Sequence, residues 1–211
     1  MKRSAFDRLL SWIGFVLAAV LLAAGVLLTV ASSFVNGQVS EQLSAQRITM
    51  PDQQAMASLS PTDQDALRPY AGQQMTTGDQ AKAFADHYIQ AHLNAMGGGR
   101  TYDDVSGEYL QLSKDPNADP GTLKELGDLR QTMFMGATLR SMLLTAYAFG
   151  TMGTIAAIAA MFAYAGAVVL AALGALGLRH AGTAEGDVFS DRPPAGPPAG
   201  LTAPDDPDSV P

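Results

Sequence analysis

Three histidines, a few carboxylates and one glycine triplet are the groups of this chain whose types could do chemistry. His87 and His92, with Asp86, Asp103, Asp104 and Glu108 nearby, would suit a metal centre or general acid–base work. Five residues of a straight α-helix turn through about 140°, so His87 and His92 face different sides and cannot share a metal. The i, i+4 spacing that stacks two imidazoles is missing. His92 falls among apolar neighbours and is expected as a hydrogen-bonded core histidine, with His87 on the far side as a solvated or interface residue. The acids show no arrangement that spacing alone would make a glycosidase pair. Gly97-Gly98-Gly99 follows a helical pattern and reads as a stop, since a phosphate cradle precedes its helix. No phosphate loop, nucleophile elbow or HExxH occurs, and Ser32 and Ser33 have no base near them in sequence. The expectation is a protein that is not an enzyme and holds neither metal nor cofactor. Two alternatives stand beside it: a metal-dependent enzyme or sensor using His87 or His92, and a lipid- or small-ligand-binding domain at a membrane surface, which would require an apolar cavity.

The elements that position these residues are set by two apolar runs. Met142 to Leu178 contains no Asp, Glu, Lys, Arg or His, and a bilayer core needs only about 20 helical residues. Trp12 to Val35 is the second such run. Lys2, Arg3 and Arg8 precede it against a single Asp7, the basic flank of a cytoplasmic side, and Trp12 suits the headgroup level. The run exceeds the apolar length of a secretory signal, which favours an uncleaved anchor. The expected fold is all-α: a transmembrane helical hairpin with a small helical extracytoplasmic domain inserted between the spans. Residues 1–10 form a cytoplasmic N-terminus, 11–35 the first span, 36–141 the domain, and 142–178 the second span with an outward helical extension. Residues 179–211, where Pro193-Pro194-Ala195-Gly196 repeats as Pro197-Pro198-Ala199-Gly200, read as a disordered, acidic cytoplasmic tail. The expected location is the plasma membrane, with both termini inside.

Within the domain the punctuation is specific. Val39 and Leu43 keep helical spacing past the first span, and Met50-Pro51 ends that helix. Ser60-Pro61-Thr62-Asp63 is a cap, a first-turn proline and a first-turn acid. Thr77 caps a helix over Gly78 to Met96, whose apolar stripe is Ala81, Phe84, Ala85, Tyr88, Ile89, His92, Leu93 and Met96. Thr101 and Asp104 form a capping box for a helix through Leu112. Asp119-Pro120 starts a last helix that no proline interrupts before the second span.

Small residues recur every seven positions in both runs: Ser11, Ala18, Gly25 and Ser32 in the first, Gly153, Ala160, Ala167 and Gly174 in the second. Lipid gives apolar helices no hydrophobic reason to associate, so such stripes predict close, shallow-angle packing of the pair. Neither span contains an ionisable residue, which speaks against a pump or coupled transporter. A net charge of -7, with scattered basic residues, speaks against a nucleic-acid partner. The absence of cysteine excludes disulfides and thiol chemistry.

The expected partners are the bilayer and another protein of the membrane or envelope, a homo-oligomer being compatible with the same pattern. The surface assigned to that protein is the Tyr70, Gln73, Gln74 turn with Lys82, Asp86, His87 and Gln90 on the polar side of the next helix. The bland reading of the same residues is a solvated helix face.

The segments Tyr70-Ala71-Gly72-Gln73-Gln74, Thr77 to Ile89, Thr101-Tyr102 with Val105-Ser106, Thr138 to Phe149, and the opening Ala5 to Leu9 with Ser11-Trp12, together resemble a family of uncharacterised small actinobacterial two-span membrane proteins. Some of its members carry the label aromatic ring-opening dioxygenase. The resemblance implies the topology above and supplies no catalytic residues. A non-haem iron site wants two histidines and a carboxylate on one face, which the reading of His87 and His92 does not provide.

Overall fold

The computed structural model describes the backbone of residues 3–190 and the side chains of residues 8–180. Among the described residues six α-helices follow in order: α1 (Arg3–Ala45), α2 (Pro61–Leu67), α3 (Gly78–Ala83), α4 (Gln90–Gly97), α5 (Tyr102–Leu112) and α6 (Pro120–Ser190). A 3-10 turn, Arg68–Tyr70, follows α2, and a π-helical turn, Phe84–Ile89, joins α3 to α4. No strand forms among the described residues beyond one isolated bridge, Thr49 to Gln74.

Two helical stretches, Arg8–Ala45 and Pro120–His180, are long and apolar enough to cross a membrane, and only 11% of the most apolar window of each is buried. Leu27, Val30, Phe34, Ile155, Phe162 and Val168 all point outward and bare. A water-soluble protein does not leave apolar patches of that extent uncovered. Within residues 11–32 and 153–174 the buried residues are all small. Ser11, Ala18, Gly25, Ser32, Gly153, Ala160, Ala167 and Gly174 all lie in the buried class.

The described residues fall into two compact units, 3–19 with 167–190 and 20–166. In the first, a Cβ on Gly174 would sit 3.2 Å from both the Ser11 carbonyl oxygen and the Phe15 ring, so the helices touch through backbone. In the second, the Ser32 hydroxyl donates to the Gly153 carbonyl at 2.7 Å. A Cβ on Gly153 would meet Asn36 Oδ1 at 2.5 Å. About two helical turns before Ser32 in α1, the Tyr164 ring covers Gly25. Thr29 spends its only hydroxyl proton on the Gly25 carbonyl at 2.9 Å, so at 3.0 Å Tyr164 donates to Thr29.

The domain between the helices, within residues 20–166, is built on their ends. Leu43 of α1 and Met133 and Leu143 of α6 are buried in one cluster with Met50, Met75 and Leu93. Arg47, at φ 52°, turns the chain out of α1. The next segment is held by Met75 N–H to the Ile48 carbonyl and Met50 N–H to the Gln73 carbonyl, both 2.8 Å. Ser60 caps α2, Thr77 and Gln80 form a capping box on α3, and Thr101 with Asp104 forms another on α5. Asp119 Oδ2 accepts from the Thr122 N–H at the start of α6. Each cap satisfies backbone donors that a helix start leaves orphaned, for about 1 kcal/mol apiece.

Two expectations change. The helix over Gly78 to Met96 is not uniform, because the π-helical turn inserts an extra residue into its winding. Its buried row is Ala81, Ala85, Ile89, Leu93 and Gly97, spaced by four. On a pure α-helix that row would slip about 40° per step, and the wider π-turn takes up the slip. As a result His92 and Met96 are exposed while His87 is only partly so, the reverse of the order the α-helical reading assigned. The second change is at the far end, where α6 continues to Ser190, past the expected boundary at residue 179. The proposed tail beyond that point, 191–211, lies outside the described residues.

Gly78 is where the domain rests on α6. A Cβ there would stand 3.0 Å from Tyr147 Cα and 3.2 Å from the Ala146 carbonyl oxygen, and backbone cannot step aside. Gly78→Ala is expected to destabilise the domain by about 1–3 kcal/mol, measured as an earlier thermal transition in detergent. Gly37→Ala, which meets nothing within 4 Å, is the control and should leave stability unchanged or raise it by up to about 1 kcal/mol.

Candidate functional site

The polar residues assigned to a partner surface are mostly engaged inside the chain. Asp86 reaches from the π-helical turn across to α6, where Arg140 Nη2 donates to Oδ1 at 2.8 Å. Lys82 donates to the other carboxylate oxygen, and its ammonium lies 5.4 Å from the centroid of the Tyr147 ring, within cation–π reach. Burial pushes the Asp86 carboxyl up, but the hydrogen bonds from Lys82 and Arg140 outweigh it and hold the group below the usual carboxylate range. His87 Nδ1 stands 2.9 Å from Asp63 Oδ1. The Ser60 hydroxyl donates to the other oxygen at 2.6 Å. Ser60 first, and His87 after it, lower the Asp63 pKa.

The turn is tied down in the same way. Gln73 accepts from Gln80 at 3.1 Å and donates to the Pro69 carbonyl. Gln74 donates to the Ser44 carbonyl of α1 at 3.2 Å, and Tyr70 packs against the core cluster. Gln90 donates to Asn94, and this pair stays exposed. These side chains therefore fasten the domain to itself and to the two long helices.

The histidines do not converge. His92 donates from Nδ1 to the Tyr88 carbonyl at 2.7 Å and packs its ring 4.4 Å from that of Tyr88, whereas His87 is committed to Asp63. Among the described residues no group of three His, Asp or Glu side chains could hold a metal ion. Asp103, Asp104 and Glu108 sit on exposed turns of α5. Asp104 caps the helix and Glu108 pairs with Arg100 at 2.5 Å.

What the polar pattern did not reveal is a groove of about 610 Å³ between the outer parts of α1 and α6. Its floor is apolar, with Val35, Val39, Leu43, Leu143 and Ala146, and Gln38, Gln42 and Gln46 form one rim. No charged side chain lines it. Its signal was present as two interleaved rows: Gln38, Gln42 and Gln46, four residues apart across the end of α1, and Leu139, Met142, Ala146 and Phe149 along α6. A second hollow of about 600 Å³ is lined by Asn36, Ser40, Thr76, Asp79, Thr151 and Thr154 among others. Comparison with family models, with curated proteins and with solved structures finds no match to the chain.

The carboxylate at the centre of the bridge generates a prediction with a sign. A folded-state pKa held below the unfolded value of about 3.9 contributes stability that is full above that value and is lost as pH falls through the folded pKa. Asp86→Asn leaves Lys82 and Arg140 facing each other without an anion. It should cost about 1–2 kcal/mol at neutral pH and flatten the loss of stability on acidification below about pH 4. Thermal unfolding of the full chain in detergent at pH 7 and at pH 3 measures both.

Proposed function

We propose that the chain is a two-span protein of the plasma membrane, with both termini on the cytoplasmic side, acting as a non-catalytic accessory subunit that presents its helical domain to another component of a membrane complex. The observation that carries this reading is a row of bare apolar side chains on the outward part of α6. Phe134 and Met135 are 51% and 54% exposed, although they belong to the domain and not to the second apolar run. About 27 Å of helix separates Met135 from Gly153, the residue that receives Ser32 near the end of the first apolar run. With that contact at the membrane edge, Met135 stands clear of the hydrocarbon core. Lipid then does not cover it, and an apolar row of this kind on a water-facing surface marks a protein contact.

The polar residues originally assigned to the partner take a supporting role in this reading: they lock α6 in place so that its outer face is rigid. Among the described residues the scattered acids and separated histidines form no group of three that could hold a metal ion.

Co-purification of the tagged full chain from its native membranes in mild detergent tests the proposal. A stoichiometric protein partner is expected, and Met135→Glu should reduce its retention by at least about tenfold, since a charge buried in an apolar contact costs several kcal/mol. A chain that emerges alone from several mild detergents, or a partner indifferent to Met135→Glu, contradicts it.

A further inference from the structure

The groove between α1 and α6 asks for an occupant of its own. We infer that it takes one acyl chain of a bilayer lipid, lifted out of the adjacent leaflet along the surface of the two helices. The inference rests on the reading of α1 and α6 as membrane spans.

Three observations select this occupant. The lining carries no charge, so neither an ionic ligand nor a charged peptide finds a counter-ion there. The groove is continuous with the lipid-facing surface, because Phe34 and Phe149 belong both to its lining and to the bare apolar side chains of the long helices. The third is size. Along α1 and the turn that follows it the lining runs from Phe34 to Gln46, about 18 Å. A partner helix about 10–12 Å across would need about 1,400 Å³ or more over that length. The groove offers about 610 Å³, within the range of small-ligand sites and too slender for a helix. The chain would lie on Val35, Val39 and Leu143, while the amides of Gln38, Gln42 and Gln46 keep the rim wetted. It would also cover Met142 and Leu139, which are otherwise 65% and 42% exposed.

The chain's single tryptophan, Trp12, makes a direct test available. In a Trp12→Phe background, one tryptophan is placed by Gln46→Trp at the far end of the groove. In a second variant Glu41→Trp places it on α1 outside the groove lining and about 7.5 Å closer to the bilayer. Both full-length variants are reconstituted in vesicles of phosphatidylcholine carrying bromine along one acyl chain. If a lipid chain enters the groove, the tryptophan at 46 is quenched at least about twofold more than the one at 41, against the order that depth alone would give. Thr145→Phe, a substitution at an exposed position of the lining, should abolish the excess while the thermal transition stays in place. Quenching at 46 no greater than at 41, or an excess that survives Thr145→Phe, overturns the inference. So does an excess that rises with the protein-to-lipid ratio, because the occupant is then a second copy of the chain. Because the vesicles contain no other protein, failure here leaves the accessory-subunit reading standing, and failure of the co-purification leaves this one standing.

Discussion

Close approach of two apolar helices through small side chains is the constraint on which the rest of this protein depends. In lipid, Leu or Phe on one helix gains nothing by leaving acyl chains for another helix, so association relies on van der Waals contact and on hydrogen bonds that need short distances. Gly153 allows Ser32 to reach its carbonyl at 2.7 Å, and Gly25 leaves room for the Tyr164 ring. A side chain at either glycine would push the helices apart and break the polar contacts that depend on that spacing. The outward ends of the same helices then provide the walls of the domain, through Leu43, Met133 and Leu143.

The domain is small, has no disulfide and divides its polar groups unusually. Its charged and amide side chains largely face one another, as in Lys82–Asp86–Arg140 and Gln73–Gln80, while several large apolar side chains of α6 face outward. Such a division suits a rigid platform whose exposed face is apolar. The Gly78 contact with the Ala146–Tyr147 backbone makes the platform and the helix one packed body there, so its orientation follows the helix that carries it.

Much of this was legible in the residues and part was not. Caps are local chemistry: Ser60, Thr77, Thr101 and Asp119 each act on a backbone N–H three residues away, and each helix start was readable from the sequence. The positions of the small residues were readable because a seven-residue period is a property of the chain itself, and those residues lie buried. The π-helical turn was not legible. It has no residue signature, and it arises because Ala85, Ile89 and Leu93 must all reach the same core, which the α-helical angle does not allow. That single inserted residue exchanged the environments of His87 and His92. The groove was missed for a different reason: it belongs to two helices together, and neither row of residues signals a cavity without the other. The engagement of Gln73, Gln74 and Asp86 was equally a matter of tertiary partners far away in the chain.

The central claim is that α1 and α6 both cross the bilayer and place the domain between them on one side. Because the chain has no cysteine, single cysteines can be introduced without background at Ser4, Asp79 and Ala203 and treated in intact cells with a membrane-impermeant maleimide. The account requires labelling of Asp79→Cys in intact cells, and labelling of Ser4→Cys and Ala203→Cys only after the membrane is opened. Labelling of either terminal variant in intact cells, or protection of Asp79→Cys, would contradict it.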